Sequence, residues 1–248
     1  MSASYPNKLI LAFRSGDLCA LPGCGRRLTI DGEDGATAST GEAAHIAGEK
    51  PDAARYDSSM TDEERNDVPN LIYLCGDCHT KIDKLKQDWP TEKLLAIKAA
   101  HEAKVGRAVE EAFADVNFPE LDKAMAWLAD VDPAKDTVDF ALLTPEAKIQ
   151  KNNLSNGARH IITAGLASRK VVSDFIETET RENSDYPERL KSGFLSEYYR
   201  LRLLGYRDNE LFDLMCVFAQ RGAEGQPQKT AGLAVLVYLF EICDVFEK

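Results

Sequence analysis

The pattern of apolar and polar positions divides the chain into two parts with different secondary structure. In roughly the first 85 residues the apolar runs are short and turn signals are frequent. The small residues at 35–41 predict a loop, and residues 61–64 match a capping box, which predicts a helix of one or two turns. The chain becomes helical from Cys78 onward. Three short β-strands are predicted, at residues 28–30, 43–46 and 70–74.

From residue 90 onward the apolar positions recur at helical spacing. A long amphipathic helix is predicted over residues 91–113, and a shorter one over residues 119–128. Residues 231–243 are apolar nearly all round, which predicts a helix buried at the centre of the second part. Glycine, asparagine and proline positions separate the predicted helices of this part, which cover residues 145–166, 168–182, 187–204, 208–221 and 228–246.

These elements predict an α+β protein with two domains, for which 248 residues are sufficient. We expect residues 1–106 to form a small domain of strands and helices. Residues 107–140 are interpreted as a helical linker. Residues 141–248 are expected to form an all-helical domain that binds a partner or forms oligomers.

Bulk composition is that of an ordinary globular protein, with 44% hydrophobic and 29% charged residues. No apolar run approaches the roughly 20 residues that a membrane-spanning helix needs. The apolar stretch within residues 1–13 is only five residues long, too short for a secretory signal. We therefore expect a cytoplasmic protein without a membrane partner.

The net charge of −11 bears on any interaction with nucleic acid. Residues 1–106 hold 13 basic and 17 acidic side chains, and the remainder of the chain holds 17 and 24. Proteins that grip phosphates usually present a basic face. A nucleic-acid enzyme with this charge needs either local clusters of basic side chains or a partner that supplies most of the contacts.

Four of the six cysteines form two close pairs, which in a reducing compartment favour a metal site over disulfides. Four thiolates make a closed tetrahedral zinc site with no open position for water, so this site is expected to be structural. Cys216 and Cys243 stand alone in apolar helical surroundings and are interpreted as small buried hydrophobes. The predicted zinc ligands are Cys19, Cys24, Cys75 and Cys78.

A second set of polar residues surrounds the second cysteine pair. Adjacent helical residues point about 100° apart, so Cys78 can face the zinc while His79 faces elsewhere. Asp83 follows four residues later on the same helical face, giving a two-ligand platform for a second metal. Asn70 lies on the predicted strand of residues 70–74, which leads into this region, so its amide can point toward the same place. His45 is a candidate general base, since the pKa of a free imidazole is about 6.5.

The order of these residues resembles the HNH endonuclease family with its ββα-metal core, within a subgroup common in bacterial antiphage effectors. The similarity covers about residues 10–106 and includes Cys75-x2-Cys78 with His79. The matching positions also include Ala44, His45, Ile46, Arg55, Tyr56, Asp57, Arg65, Asn66, Asn70, Leu74, Asp83, Leu94, Lys98 and Glu102.

This resemblance implies roles for individual residues. His45 would be the general base that activates water, and Asn70 would position the catalytic loop and contact the metal. His79 and Asp83 would bind Mg²⁺ or another divalent cation. That ion would hold the scissile phosphate and stabilise charge on the leaving 3′ oxygen, giving 3′-hydroxyl and 5′-phosphate ends.

One position departs from the family pattern, because Ala44 stands where many members carry a metal-binding Asp, Glu or His before the general base. Three readings are open: more water in the metal's coordination, a substitute ligand at Asp57 or Glu42, or loss of activity. Arg55, Arg65 and Lys81 are the expected DNA contacts. The alternative for these cations is surface ion pairing, which contributes little.

The second half carries no catalytic set. Its notable segments are Pro145-Glu-Ala-Lys-Ile149 with Asn152-Asn-Leu154, and the ending Tyr238-Leu-Phe-Glu-Ile-Cys-Asp244 with Phe246. These segments resemble the C-terminal domains of bacterial ABC-three-component conflict systems. That resemblance implies docking to an ABC-type ATPase and an accessory protein, with homo-oligomer formation as the plainer interpretation. The leading hypothesis is thus a DNA-cleaving antiphage effector. The alternatives are a zinc-bound scaffold that has lost catalysis, and a nuclease gated by a small nucleotide.

Overall fold

A computed structural model describes residues 3–32, 37–128, 144–243 and 245–246. The chain divides into two compact units, Met1–Val105 and Gly106–Lys248. Residues 107–128, which we had interpreted as linker, belong to the helical unit, because the helix Phe118–Leu128 packs against the chain's last helix. The rest of that interpreted linker, residues 129–140, lies outside the described residues.

The first unit is α+β, as expected. Its central feature is an antiparallel pair of strands, β3 (Gly41–His45) and β4 (Leu71–Cys75), in which His45 lies opposite Leu71. All five residues of β4 are buried. The helix α3 (Gly76–Lys84) follows β4 without a loop. The remaining elements of this unit are α1 (Tyr5–Arg14), β1 (Thr29–Asp31), β2 (Thr37–Ser39), α2 (Asp62–Asn66) and most of α4 (Thr91–Ala112).

Local sequence explains most of these boundaries. The capping box predicted at residues 61–64 is present, since Thr61 and Glu64 exchange hydrogen bonds at the start of α2. The helix α3 begins two residues before Cys78, with Cys75 at its N-cap. The strand β2 falls in the segment predicted as a loop, where its three residues pair with β1.

The helical unit is built around α11 (Gln226–Ile242), whose residues are buried on nearly all sides, which confirms the predicted central helix. The predicted helix over residues 145–166 is instead two helices. Asn153 in the intervening turn has a left-handed backbone with φ of +48°, a conformation that asparagine tolerates. The other helices are α5 (Phe118–Leu128), α6 (Pro145–Lys151), α7 (Asn156–Gly165), α8 (Arg169–Glu182), α9 (Tyr186–Leu203) and α10 (Asp208–Ala219).

A buried lysine closes the end of α11. The Lys148 ammonium donates hydrogen bonds to the carbonyl oxygens of Phe240 at 2.6 Å and of Cys243. These carbonyls lie where a helix ends with unpaired acceptors. Cys216 and Cys243 are buried, as expected of small hydrophobes. Within the described residues, no helix combines the length and apolarity needed to cross a bilayer.

Candidate metal centre and adjoining cleft

The four paired cysteines converge at one point of the first unit. The Sγ atoms of Cys19, Cys24, Cys75 and Cys78 all lie within 4.8 Å of one another. Those of Cys24 and Cys75 are 3.9 Å apart, close to the roughly 3.8 Å expected between sulfurs that share a tetrahedral ion at about 2.3 Å. The predicted clustering is confirmed, and the cluster can bind a metal ion such as zinc.

Two tight turns present these sulfurs. In the first, the Cys24 amide donates to the carbonyl three residues earlier at 3.1 Å. Gly23 has a φ of +81°, a conformation that glycine adopts without steric cost. The second turn is the start of α3, which places Cys75 and Cys78 one helical turn apart. The Cys75 amide also donates to the Cys19 sulfur at 3.4 Å, which joins the two turns.

The protonation of these thiols responds to their surroundings. Burial raises the pKa of Cys19 and of Cys78, whereas a hydrogen bond from the Arg26 backbone lowers the pKa of Cys24. Metal ligation requires thiolates and therefore releases protons. The affinity of the cluster for a metal thus falls as the pH falls.

A cleft of about 190 Å³ lies on the side of α3 that carries His79. His45 from β3 lines it together with His79 and Asp83 from α3. The loop of residues 48–54 supplies the rest of the wall. The two imidazoles singled out in the sequence therefore share one cleft, beside the cysteine cluster.

Asn66 orients the His45 ring. The His45 Nε2 atom lies 3.2 Å from the Asn66 side-chain oxygen. The amide nitrogen of Asn66 is engaged elsewhere, donating to the Asp62 carbonyl at 2.9 Å. Because the Asn66 oxygen can only accept, a neutral His45 ring carries its proton on Nε2. Nδ1 then has a free lone pair and can accept a proton.

His79 lies between two carboxylates. Its Nδ1 atom is 2.6 Å from a Glu42 oxygen, and its Nε2 atom is 3.4 Å from an Asp83 oxygen. The interaction with Asp83 raises the pKa of His79, Glu42 raises it further, and together they outweigh the lowering caused by burial. A cation that binds Nε2 must therefore compete with a proton.

Arg55 connects Asp83 to the strand that carries His45. Its guanidinium donates to one Asp83 oxygen at 2.9 Å and to the backbone carbonyls of Ile46 and Ile82 at 2.7 Å each. Burial alone would raise the pKa of Asp83, but the nearby His79 ring and the hydrogen bond from Arg55 outweigh it and lower that pKa. Asp83 is therefore held as a carboxylate facing the cleft.

Asn70 supports the cleft from inside the protein. Its side chain accepts from the Ala47 amide and donates to the Ala47 and Arg65 carbonyls, each at 2.9 Å. Asn70 is buried and does not belong to the cleft-lining residues that the structure describes. This placement suits the expected positioning of the loop after His45, but it does not suit the expected contact with a metal.

The arginines expected to bind DNA have a different role. The side chains of Arg55 and Arg65 are only 6% and 5% exposed. Arg65 donates to the Asp62 carboxylate and to the Asp57 carbonyl, each at 2.7 Å. Both guanidinium groups are thus used inside the unit, which corrects the expectation for them. Lys81 is exposed and lies 5.4 Å from the Trp89 ring.

Four further residues bear on the site. Ala44 is fully buried and offers no ligand atom. Of the two proposed substitutes, Asp57 is engaged by Ser59, whose hydroxyl donates to it at 2.6 Å, whereas Glu42 contacts His79. Lys50 lines the cleft and was not singled out in the sequence, where nothing distinguishes it from other loop lysines. Its place becomes visible only once the 48–54 loop is folded against α3.

Comparison with known proteins adds nothing to this geometry. No protein-family model matches the chain, and no curated protein matches it.

Proposed function

We propose that the first unit is an HNH endonuclease domain that hydrolyses phosphodiester bonds of DNA with the help of a divalent metal. The observation that carries the proposal is the shared cleft, in which His45 lies with His79 and Asp83. A general base and a pair of oxygen and nitrogen ligands are the parts that metal-assisted phosphodiester hydrolysis requires. The antiparallel strands β3 and β4, followed at once by α3, are the elements that a ββα-metal core would use.

His45, His79 and Asp83 would each have a separate role in this reaction. His45 takes the proton of the attacking water on Nδ1, while Asn66 keeps Nε2 protonated and the ring fixed. His79 and Asp83 are the ligands for Mg²⁺ or a similar cation. When bound, that ion supplies positive charge at the scissile phosphate and at the leaving 3′ oxygen. Because Ala44 offers no ligand, water completes much of the coordination, as Mg²⁺ prefers.

The charge of the protein limits how it reaches DNA. With Arg55 and Arg65 buried, Lys50 in the cleft and Lys81 on α3 become the proposed phosphate contacts. So few contacts on a chain of net charge −11 predict weak binding of DNA by the isolated protein. A partner that delivers DNA would then control cleavage.

We assign the docking of that partner to the helical unit. The resemblance of this half implies an ABC-type ATPase and an accessory protein, within an antiphage defence system. Leu203 and Leu204 at the end of α9 are 89% and 63% exposed, and apolar side chains so placed support a contact with another protein. Self-association of the chain through the same surface would be seen as a concentration-dependent mass in analytical ultracentrifugation.

Plasmid cleavage tests the proposal. Supercoiled DNA is incubated with the full chain and Mg²⁺ or Mn²⁺, with and without candidate partner proteins. We expect cleavage that EDTA abolishes and that His45→Ala lowers by about 10²–10⁴-fold, the usual contribution of a general base. His160→Ala is the matched control, because His160 lies on the helical unit with a 67% exposed side chain.

Two results would contradict the proposal. If wild type and His45→Ala are equally inert with every partner added, the zinc-bound scaffold is the better account. If both cleave equally well, His45 is not the base. Cleavage triggered by a cyclic nucleotide alone would favour the nucleotide-gated alternative.

A further inference from the structure

The contacts of Glu42 with His79 and of Arg55 with Asp83 determine which atoms of the His79 and Asp83 side chains face each other. Glu42 approaches the Nδ1 side of the His79 ring, at 2.6 Å. Arg55 holds one oxygen of Asp83, at 2.9 Å. The atoms left over are His79 Nε2 and the second Asp83 oxygen, and these are 3.4 Å apart.

That separation suits two ligands of one cation better than a hydrogen bond. Hydrogen bonds from nitrogen to oxygen cluster near 2.9–3.0 Å. Two adjacent ligand atoms that each lie about 2.0–2.2 Å from a metal are about 2.8–3.1 Å apart in octahedral coordination and about 3.3–3.6 Å apart in tetrahedral coordination. The 3.4 Å between Nε2 and the Asp83 oxygen falls in the tetrahedral range and is about 0.3 Å longer than the octahedral separation, which a small side-chain adjustment would close.

The tautomer of His79 follows from the same contacts. A carboxylate can only accept, so a neutral His79 ring placed 2.6 Å from Glu42 carries its proton on Nδ1. Nε2 is then unprotonated and can donate its lone pair to a metal. A carboxylate in this outer position orients a metal-binding imidazole and raises its basicity.

Arg55 orients Asp83 as Glu42 orients His79, and the contacts of Arg55 hold its own side chain in place. Its backbone has a φ of +59°, which is unfavourable for a residue with a side chain and persists only where the surroundings impose it. Its guanidinium is 6% exposed and bonded to the carbonyls of Ile46 and Ile82. Among the described residues, the charged groups at the cleft are three carboxylates and two cations, which leave one net negative charge and favour a bound cation. They are Glu42, Glu49, Asp83, Lys50 and Arg55.

We propose that Glu42 is a positioning residue. Together with Arg55 it orients His79 Nε2 and one Asp83 oxygen so that these two atoms can bind the same divalent cation. Glu42 acts through the imidazole and does not replace the ligand missing at Ala44. This inference rests on the proposed function in one respect, because that proposal names His79 and Asp83 as the metal ligands. It makes its own prediction about metal binding, which does not require DNA cleavage.

Metal affinity and ring tautomer test this role in the full, zinc-loaded chain. Free Mn²⁺ is followed by electron paramagnetic resonance during titration of wild type, Glu42→Ala and Glu42→Gln. We expect Glu42→Ala to weaken Mn²⁺ binding about 10–100-fold, the usual effect of losing such an outer partner. Glu42→Gln keeps an acceptor for Nδ1–H and should lose less. Glu63→Ala, on the exposed surface of α2, is the matched control and should bind as wild type does.

Nitrogen-15 chemical shifts of the His79 ring give the second reading, assigned by loss of the signal in His79→Gln. At alkaline pH we expect the wild-type ring to be protonated on Nδ1 and the Glu42→Ala ring to lose that preference. Zinc content and thermal unfolding establish that each variant is folded.

The outcomes separate this inference from the nuclease proposal. Unchanged Mn²⁺ affinity in Glu42→Ala, or a wild-type ring protonated on Nε2, overturns the positioning role even if the protein cleaves DNA. Weakened Mn²⁺ binding with the expected tautomer change supports the role even if wild type cleaves no DNA.

Discussion

At the scale of single residues, the pattern of the sequence was most informative where chemistry depends on spacing. The pairs Cys19–Cys24 and Cys75–Cys78 predicted their own convergence, and their sulfurs do lie together. The sequence was least informative about Arg55 and Arg65. An arginine beside a polar motif can face a ligand or the interior, and only the packing of the 48–54 loop and α2 determines which. Asn66 was missed as the partner of His45 for the same reason.

Asn66 provides a test at this scale. Asn66→Asp places a carboxylate where the amide oxygen lies, 3.2 Å from His45 Nε2. A carboxylate stabilises the protonated imidazole, which cannot act as a base. We expect the acidic limb of the rate–pH profile for DNA cleavage to move to higher pH, with little change at alkaline pH. The same profile measured for Asn156→Asp, on the exposed surface of α7, is the control, and an unmoved limb in Asn66→Asp would show that the Asn66 and His45 side chains are uncoupled.

At the scale of elements, short-range signals predicted the strands and capped helices, but not the pairings that tertiary structure imposes. Residues 37–39 lie in the run of small residues between Gly35 and Gly41, which indicates a loop, yet they pair with β1. The helix predicted over residues 145–166 breaks near Asn153, where the periodic apolar pattern continues across the turn. Periodicity alone does not distinguish one long helix from two.

The loop that forms the cleft wall depends on a glycine. A Cβ atom added to Gly48 would lie 2.5 Å from the Ala53 side chain and 2.6 Å from the Ala54 carbonyl oxygen. The Ala54 contact is with backbone, so the loop must shift. We expect Gly48→Ala to lower the melting temperature and DNA cleavage together.

Gly106→Ala is the matched control for this loop. Gly106 lies within α4 and an added Cβ there would meet nothing within 4 Å. We expect it to leave cleavage unchanged and to raise stability by about 1 kcal/mol, the usual preference for alanine over glycine in a helix. Full activity and unchanged melting in Gly48→Ala would mean that the loop adjusts without affecting the site.

At the scale of the whole molecule, the two units differ in what stabilises them. The helical unit has a large apolar core around α11, whereas the first unit contains small sheets and the cysteine cluster. The sequence indicates a change of structure near this division, because composition and periodicity change there. It did not predict that α5 packs on α11, since an amphipathic helix does not specify its partner.

Removal of the metal should therefore affect the units unequally. A thiol-compatible zinc chelator is expected to expose the amides of β3, β4 and α3 to hydrogen exchange while those of α11 stay protected, because structural zinc contributes folding energy to small domains. Mass-spectrometric hydrogen exchange measures both units in one sample. Equal protection of the first unit with and without chelator would mean that its folding does not depend on metal.

The acidic charge makes a second prediction at this scale. Binding of a DNA duplex by the isolated chain should be weak and should have a shallow dependence on salt, because few phosphates are neutralised. Fluorescence anisotropy across a salt series measures the slope, and Lys50→Ala should reduce it by about one ion if Lys50 contacts a phosphate. Tight binding at physiological salt with a steep slope would contradict delivery of DNA by a partner.

The central claim is that α3 separates two metal sites, one held by four sulfurs and one by His79 and Asp83. Anomalous diffraction from a crystal of the zinc-loaded protein soaked in Mn²⁺ tests it most directly. Data collected on both sides of the zinc and manganese absorption edges should place zinc among Cys19, Cys24, Cys75 and Cys78, and manganese between His79 Nε2 and Asp83 in the cleft shared with His45. Zinc elsewhere, or a cleft without manganese at saturating concentration, would contradict the account.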